Sequence, residues 1–180
     1  GVQLQWLVDT PERLQQYLSF AKSAGLKLRV NLELDVGLHR GGFESTEQSS
    51  LVVQTILANP THLAFSGFMG YEPHLKGVAD RFEHPALQHV LATYAGHLEC
   101  AKSLGVDPST LTMNGAGSHT LPLYEKDRLL NDLSAGSAVV KPSDFDSEHL
   151  ADTSAALFIA APVLKHYKNL RLPGDNRFLE

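Results

Sequence analysis

Cysteine is almost absent from this chain, and the single Cys100 excludes an internal disulfide framework. Its expected place on a helix suits a reducing, cytoplasmic compartment. Basic charge is sparse and unclustered. Fifteen Lys and Arg against twenty Asp and Glu leave a net charge of −5, which argues against a nucleic-acid surface. No apolar run approaches membrane-spanning length, so no membrane association is expected. Nine histidines are present, yet none has the spacing of a metal-ligand set. Internal repeats and low-complexity segments are lacking, and no signal peptide is visible. The first residues, Gly1-Val2-Gln3, lack an initiator Met, as in a chain that has lost its natural start. What remains is 180 residues with 43% hydrophobic content, enough for one packed soluble domain.

Strand and helix signals alternate. Residues 4–8 read as a short strand. Asp9 or Thr10 caps the next helix with Pro11 at its first position, Leu14, Tyr17, Leu18 and Ala21 form its stripe, and Gly25 ends it. Residues 27–36 are a strand, 45–57 a helix closed by Asn59-Pro60, and 62–69 another strand. Leu87, Val90, Leu91, Tyr94, Leu98 and Ala101 mark a long helix ending at Gly105. Residues 111–114 read as a strand, 129–133 as a brief helix and 137–141 as a fifth strand. Such βα repetition implies a parallel sheet, either closing into a barrel or open and doubly wound.

The strand at 27–36 favours the barrel. Leu28, Val30, Leu32, Leu34 and Val36 share one face, while Arg29, Asn31, Glu33 and Asp35 share the other. Four polar groups in a row are either wet or paired inside a site, because unpaired buried charge is too costly. An ordinary edge strand with a wet face is the competing reading. Beyond the strand, Gly37, Gly41 and Gly42 bracket Arg40 in a tight turn. Three more motifs follow. Phe65-Ser66-Gly67-Phe68-Met69-Gly70-Tyr71-Glu72-Pro73-His74 ends a strand on a tyrosine. Met113-Asn114-Gly115-Ala116-Gly117-Ser118-His119-Thr120 is a small-residue run after a strand, whose backbone amides can cradle phosphate. The last motif runs from Leu133 to Asp146 and opens on Ser134-Ala135-Gly136-Ser137, where Gly136 and Ser137 can again supply phosphate N–H groups.

In this order the four motifs resemble the pyridoxal-phosphate (PLP) enzymes of the alanine-racemase-type barrel, most closely the branch of D-threonine aldolases, D-serine dehydratases and D-3-hydroxyaspartate aldolases. The resemblance is firmest over residues 30–146. It implies a partial (β/α)8 barrel of parallel strands in residues 1–146 and the start of a β-rich C-terminal domain in 147–180. It implies that Arg40 contacts the phenolic oxygen of PLP. In racemases a carbamylated lysine orients that arginine from the position of Glu33, and Glu33 already ends in a carboxylate able to do so; a structural ion pair is the alternative. Tyr71 stands where racemases place a histidine and the lyase branch a tyrosine, near the ring nitrogen. Arg40 and Tyr71 are thus expected at opposite ends of the cofactor ring. Gly117, Ser118, Gly136 and Ser137 become the phosphate ligands, with Asn114 nearby, and His74 faces either substrate or solvent. Ser134 falls approximately where racemases carry an arginine, which argues against racemase electronics.

Two family elements are missing. The lysine that holds the cofactor belongs to the family's first barrel strand. Nothing before Leu28 resembles that segment, since Lys22 and Lys27 flank a helix end. The divalent-metal pair of the aldolases and dehydratases belongs to the far C-terminal domain. The chain therefore reads as a fragment or cut-down relative, inactive alone. The complete protein is expected to be a cytoplasmic, homodimeric PLP-dependent lyase that cleaves or dehydrates a β-hydroxy D-amino acid. The alternatives are an amino-acid racemase, a non-catalytic PLP-binding or carrier protein, and an unrelated phosphate-binding α/β domain.

Overall fold

Five parallel strands, each hydrogen-bonded to the next in chain order, form the sheet in the computed structural model, which describes residues 4–78, 83–125, 129–146, 150–164 and 166. They are β1 (Trp6–Val8), β2 (Leu28–Glu33), β3 (Leu63–Met69), β4 (Thr112–Gly115) and β5 (Asp132–Leu133). Three helices, α1 (Pro11–Ala24), α2 (Thr46–Leu57) and α3 (Pro85–Ser103), connect the first four strands. The strand order never reverses, as a doubly wound sheet requires, so the sheet is a segment of a barrel wall.

Local chemistry accounts for the helix ends. The Thr10 side chain accepts from the Arg13 amide, Pro11 opens α1, and Gly25 ends it at φ 63°. Ser45 caps α2 through the Gln48 amide. Register then divides the strands into two faces. Val8, Val30, Leu32 and Phe68 are buried under the helices. Opposite them, Leu7, Asn31 and Thr112 form one inner layer, and Glu33, Met69, Asn114 and Asp132 form the next. The expected polar inner face is present. Asn31 Nδ2 donates to Gln5 Oε1 at 3.0 Å, and Gln5 Nε2 donates to Thr112 Oγ1 at 2.8 Å, tying β4 to the first two strands from inside. The register between β2 and β3 shifts at Val30/Asn31, and only glycine fits position 67, where a Cβ would overlap the Thr112 carbonyl.

Three expectations need correction. The strand at 27–36 ends at Glu33, because Asp35 turns its side chain onto the following loop. Residues 129–133 are not a helix; they hold β5. Asn131 Oδ1 accepts from the Met113 amide at 2.8 Å and Asn131 Nδ2 donates to the Leu111 carbonyl at 2.8 Å, pinning this segment beside β4. Residues 137–141 are not a strand. Ser137–Val139 is a 3-10 turn, Val139 is exposed, and Lys141 has φ 42°, so no extended edge forms. Among the described residues after Thr153, no regular secondary structure is assigned, and no helix is long and apolar enough to cross a membrane.

His97 is buried on α3, where its ring meets Phe68 and its Nδ1 lies 2.7 Å from Ser49 Oγ on α2. Burial pulls its pKa down to about 4, partly offset by Glu47. A depressed pKa means that acid favours the unfolded chain, where histidine titrates near its ordinary value. Stability is therefore expected to be complete above about pH 6.5 and to fall as pH drops toward 4, by roughly 3 kcal/mol at most. Urea unfolding across that window, with His97→Gln as the comparison, tests this. A wild-type loss no steeper than that of the variant would contradict it.

Candidate functional site

Asp35, the first residue to leave the β2 ladder, organises the turn that carries Arg40. Its Oδ1 accepts from the amides of Gly37 at 2.9 Å and His39 at 3.0 Å, and its Oδ2 lies 2.8 Å from His39 Nδ1. Burial alone would raise the Asp35 pKa, but the His39 and Gly37 amides, with the His39 ring, hold it below the usual carboxylate range. The loop then returns to its own strand: the Phe43 amide donates to the Glu33 carbonyl at 2.8 Å, and the Asp35 amide donates to the Phe43 carbonyl at 3.1 Å. Gly42, at φ 96°, permits this return, since a Cβ there would lie 2.9 Å from the Glu33 carbonyl oxygen.

The returning loop places Arg40 over the carboxyl ends of β2 and β3. Arg40 Nη2 donates to Glu33 Oε1 at 2.7 Å; Glu33 is 13% exposed and Arg40 50%. The guanidinium lies 5.2 Å from the centroid of the Tyr71 ring. Glu33, Arg40 and Tyr71 thus meet at one place. However, Arg40 rests on the face of Tyr71 rather than across a gap from it, a cation–π arrangement that period-two patterning does not foretell. His74 is exposed behind the same turn, its Nε2 set 3.3 Å from where a Gly37 Cβ would be. Burial, then His39 and His89, lower its pKa against the opposing pull of Asp35.

Tyr71 also forms one wall of a cavity of about 230 Å³, with Ala116, Gly117, Ser118, Ser134 and Gly136 around it. Gly117 is required for that wall, because a Cβ there would come within 2.6 Å of Tyr71 Cε2. Ala116, with no glycine's freedom, is buried at φ 67° as the chain leaves β4. The two small-residue loops touch: the Ala138 amide donates to Ser118 Oγ at 2.9 Å. Ser137 completes the rim, and stacked rings of His119 and Phe145, 4.3 Å apart and 6° from parallel, close one side. The backbone amides of Gly117, Gly136 and Ser137 donate to no carbonyl among the described residues, and space beside Gly136 is open. Such a group of free donors fits a phosphate. Asn114 does not line this cavity. It lies in the inner layer below, donating to Asp132 Oδ2 at 2.9 Å and Ser134 Oγ at 3.1 Å.

Some contributors escaped the sequence reading. Asp35 carries an Asx-turn signal, Asp-x-Gly, which period-two patterning alone reads as part of a strand face. Glu72 is fully buried, with Oε1 accepting from Thr120 Oγ1 at 2.7 Å. Burial raises its pKa, although the Thr120 and Tyr124 hydroxyls and the Ala116 amide oppose the rise. Tyr94 on α3 donates to the Asn114 carbonyl at 2.6 Å, and burial with nearby Glu72 pushes its pKa up. Among the described residues, no group of three or more His, Cys, Asp or Glu is arranged to hold a metal ion, and no lysine lines the cavity.

The sequence model of the alanine racemase N-terminal domain matches residues 2–143. Among solved structures, the D-threonine aldolase from Filomicrobium marinum is similar over 86% of this chain and 43% of its own, at 17% identity and a TM-score of 0.72. D-threo-3-hydroxyaspartate dehydratase from Delftia sp. HT23 is similar over 76% and 36%, at 19% identity and 0.58. Alanine racemase from Streptomyces coelicolor A3(2) is similar over 74% and 33%, at 22% identity and 0.58. The chain spans less than half the length of each of these neighbours. No curated protein matches the sequence.

The contact between Gly117 and Tyr71 gives a direct test of the cavity. Gly117→Val is expected to push the Tyr71 ring aside and to weaken binding of inorganic phosphate roughly tenfold, about 1.4 kcal/mol. The thermal midpoint should move by only about 5 °C, because the loop lies outside the helix-covered core. Titration calorimetry and circular dichroism measure the two effects. Unchanged phosphate affinity would remove this cavity from consideration as an anion site.

Proposed function

The chain belongs to the alanine racemase N-terminal domain family, and on that premise we propose that it is the cofactor-holding barrel portion of a PLP-dependent lyase acting on β-hydroxy D-amino acids. One observation carries the reading. Four loops at the carboxyl ends of consecutive parallel strands bring the Glu33–Arg40 pair, Tyr71 and two amide-rich turns to one side of the sheet. Chemistry in such barrels sits at that end.

Each residue has a task suited to its chemistry. The free amides of Gly117, Gly136 and Ser137 receive the cofactor phosphate without a formal positive charge. Ser118, held by the Ala138 amide, keeps the two turns together. Arg40 offers a permanent cation to an anionic oxygen of the bound molecule, and Glu33 fixes its direction. Tyr71 supplies a flat wall and a hydroxyl able to donate or accept. When bound, PLP itself accepts the electron pair of the bond that breaks. Aldol cleavage or dehydration is favoured over racemisation because Ser134, tied to Asn114, stands approximately where racemases of this fold carry an arginine. The complete enzyme is expected to be a cytoplasmic homodimer with a small amino acid as substrate.

No lysine among the described residues lines the cavity, so this chain is expected to hold PLP without a covalent bond and to show no appreciable lyase or racemase turnover. Fluorescence titration should detect PLP binding, weakened roughly five- to tenfold by Arg40→Ala. Borohydride reduction with PLP present, followed by peptide mapping, should yield no stoichiometric labelled lysine. A single fully labelled lysine would mean that the chain carries its own attachment point, and the reading of a partial site would be abandoned.

A further inference from the structure

Glu72 directly follows Tyr71 and has no exposed surface, yet among the described residues no cation pairs with it. Its Oε1 accepts from the Thr120 hydroxyl at 2.7 Å, while Oε2 makes no hydrogen bond of ordinary geometry. The groups around it come from three elements. They are Thr120 and the Ala116 amide from the loop after β4, Tyr124 from the 3-10 turn Leu121–Tyr124, and Tyr94 from α3. Every one is neutral, and all but the amide are hydroxyls. Thr120 itself lines the cavity, and its amide donates to the Gly117 carbonyl at 2.9 Å, closing the turn that presents the Gly117 amide. One hydrogen bond therefore separates the carboxyl from the proposed phosphate cup.

We propose that Glu72 is a positioning residue for that cup: as a neutral carboxylic acid it holds Thr120 and the turn 117–120 in their anion-accepting form, so that binding of the phosphate and the proton on Glu72 are linked. The inference rests on the proposed PLP site and adds to it the protonation state of a residue that does not touch the ligand. The physics is direct. A carboxylate buried without a cation is strongly disfavoured. A carboxylate one hydrogen bond behind a phosphate would also repel it through a medium of low polarity. Burial already raises the pKa of Glu72, and an anion in the cup raises it further. Linkage then requires phosphate binding to weaken as pH rises through that range, because ligand and ionised Glu72 exclude each other.

The test compares wild type with Glu72→Gln, which is neutral at every pH and retains an acceptor for Thr120. PLP affinity is measured by fluorescence titration between about pH 5 and about pH 9. The ratio of the two dissociation constants cancels the titration of PLP itself. It is expected to rise, wild type losing affinity relative to the variant by roughly tenfold for each pH unit beyond the Glu72 transition. Parallel profiles with measurable PLP binding would overturn this inference and leave the cofactor reading standing. Absence of PLP binding by both proteins at every pH would overturn both. An infrared measurement serves if the variant does not fold. Wild type at neutral pH should show the carbonyl band of a buried protonated carboxyl, displaced in Thr120→Val by loss of the hydroxyl donor. No such band, or one that Thr120→Val does not move, would overturn the proposal.

Discussion

The Tyr94 hydroxyl, 2.6 Å from the Asn114 carbonyl, controls how the ends of β3 and β4 approach each other. The ring is fully buried on α3 and so links the helix layer to the mouth of the sheet. Only glycines fit around its tip. A Cβ at Gly70 would lie 2.5 Å from the hydroxyl oxygen, and one at Gly115 would lie 3.0 Å from it. The chain leaves β3 and β4 from these two glycines. Tyr71 and Glu72 follow the first, and the turn 116–120 follows the second. The wall of the cavity and the carboxyl behind it therefore inherit their separation from one buried phenol.

Charge plays a different part at the neighbouring loop. The Arg40–Glu33 pair is partly exposed on the arginine side, so its net effect on stability is small. Its consequence is orientation. Glu33 points inward from β2 because the strand alternates, and Arg40 reaches it because Asp35 and Gly42 fold the intervening loop back. The Asp35 carboxylate is the firmer element here, nearly buried and saturated by two amides and a histidine ring. The arrangement combines a turn held by Asp35 with a half-exposed cation near its tip, tied to Glu33 and resting on Tyr71.

Tyr71 acts in both regions. One face of its ring meets Arg40, while its edge meets Gly117. Loops from β2, β3 and β4 are joined through this single side chain, and Ser118 extends the connection to the loop after β5 by accepting from the Ala138 amide. Four sequence motifs separated by tens of residues thereby become one surface. The parallel, chain-ordered sheet makes this unavoidable, since each strand delivers its carboxyl end to the same side as its neighbour.

Much of this was legible in the chain itself. Helix caps at Thr10 and Ser45, the stop at Gly25, the two faces of β2 and the order of the glycine motifs follow from local sterics, hydrogen bonding and periodicity, which neighbouring residues largely settle. Other features depend on contacts between distant segments. Residues 129–133 have helical character, yet Asn131 secures them to β4 as a strand partner. The cation–π contact of Arg40 depends on where β3 places Tyr71, and the solitude of Glu72 depends on which side chains α3 and the loop after β4 bring to it. Sequence by itself determined the periodic elements and the chemical types at their ends, because those are short-range properties. Only tertiary structure decided which polar groups face each other and which carboxyl is buried without a cation, because burial and distance exist only once the strands have paired.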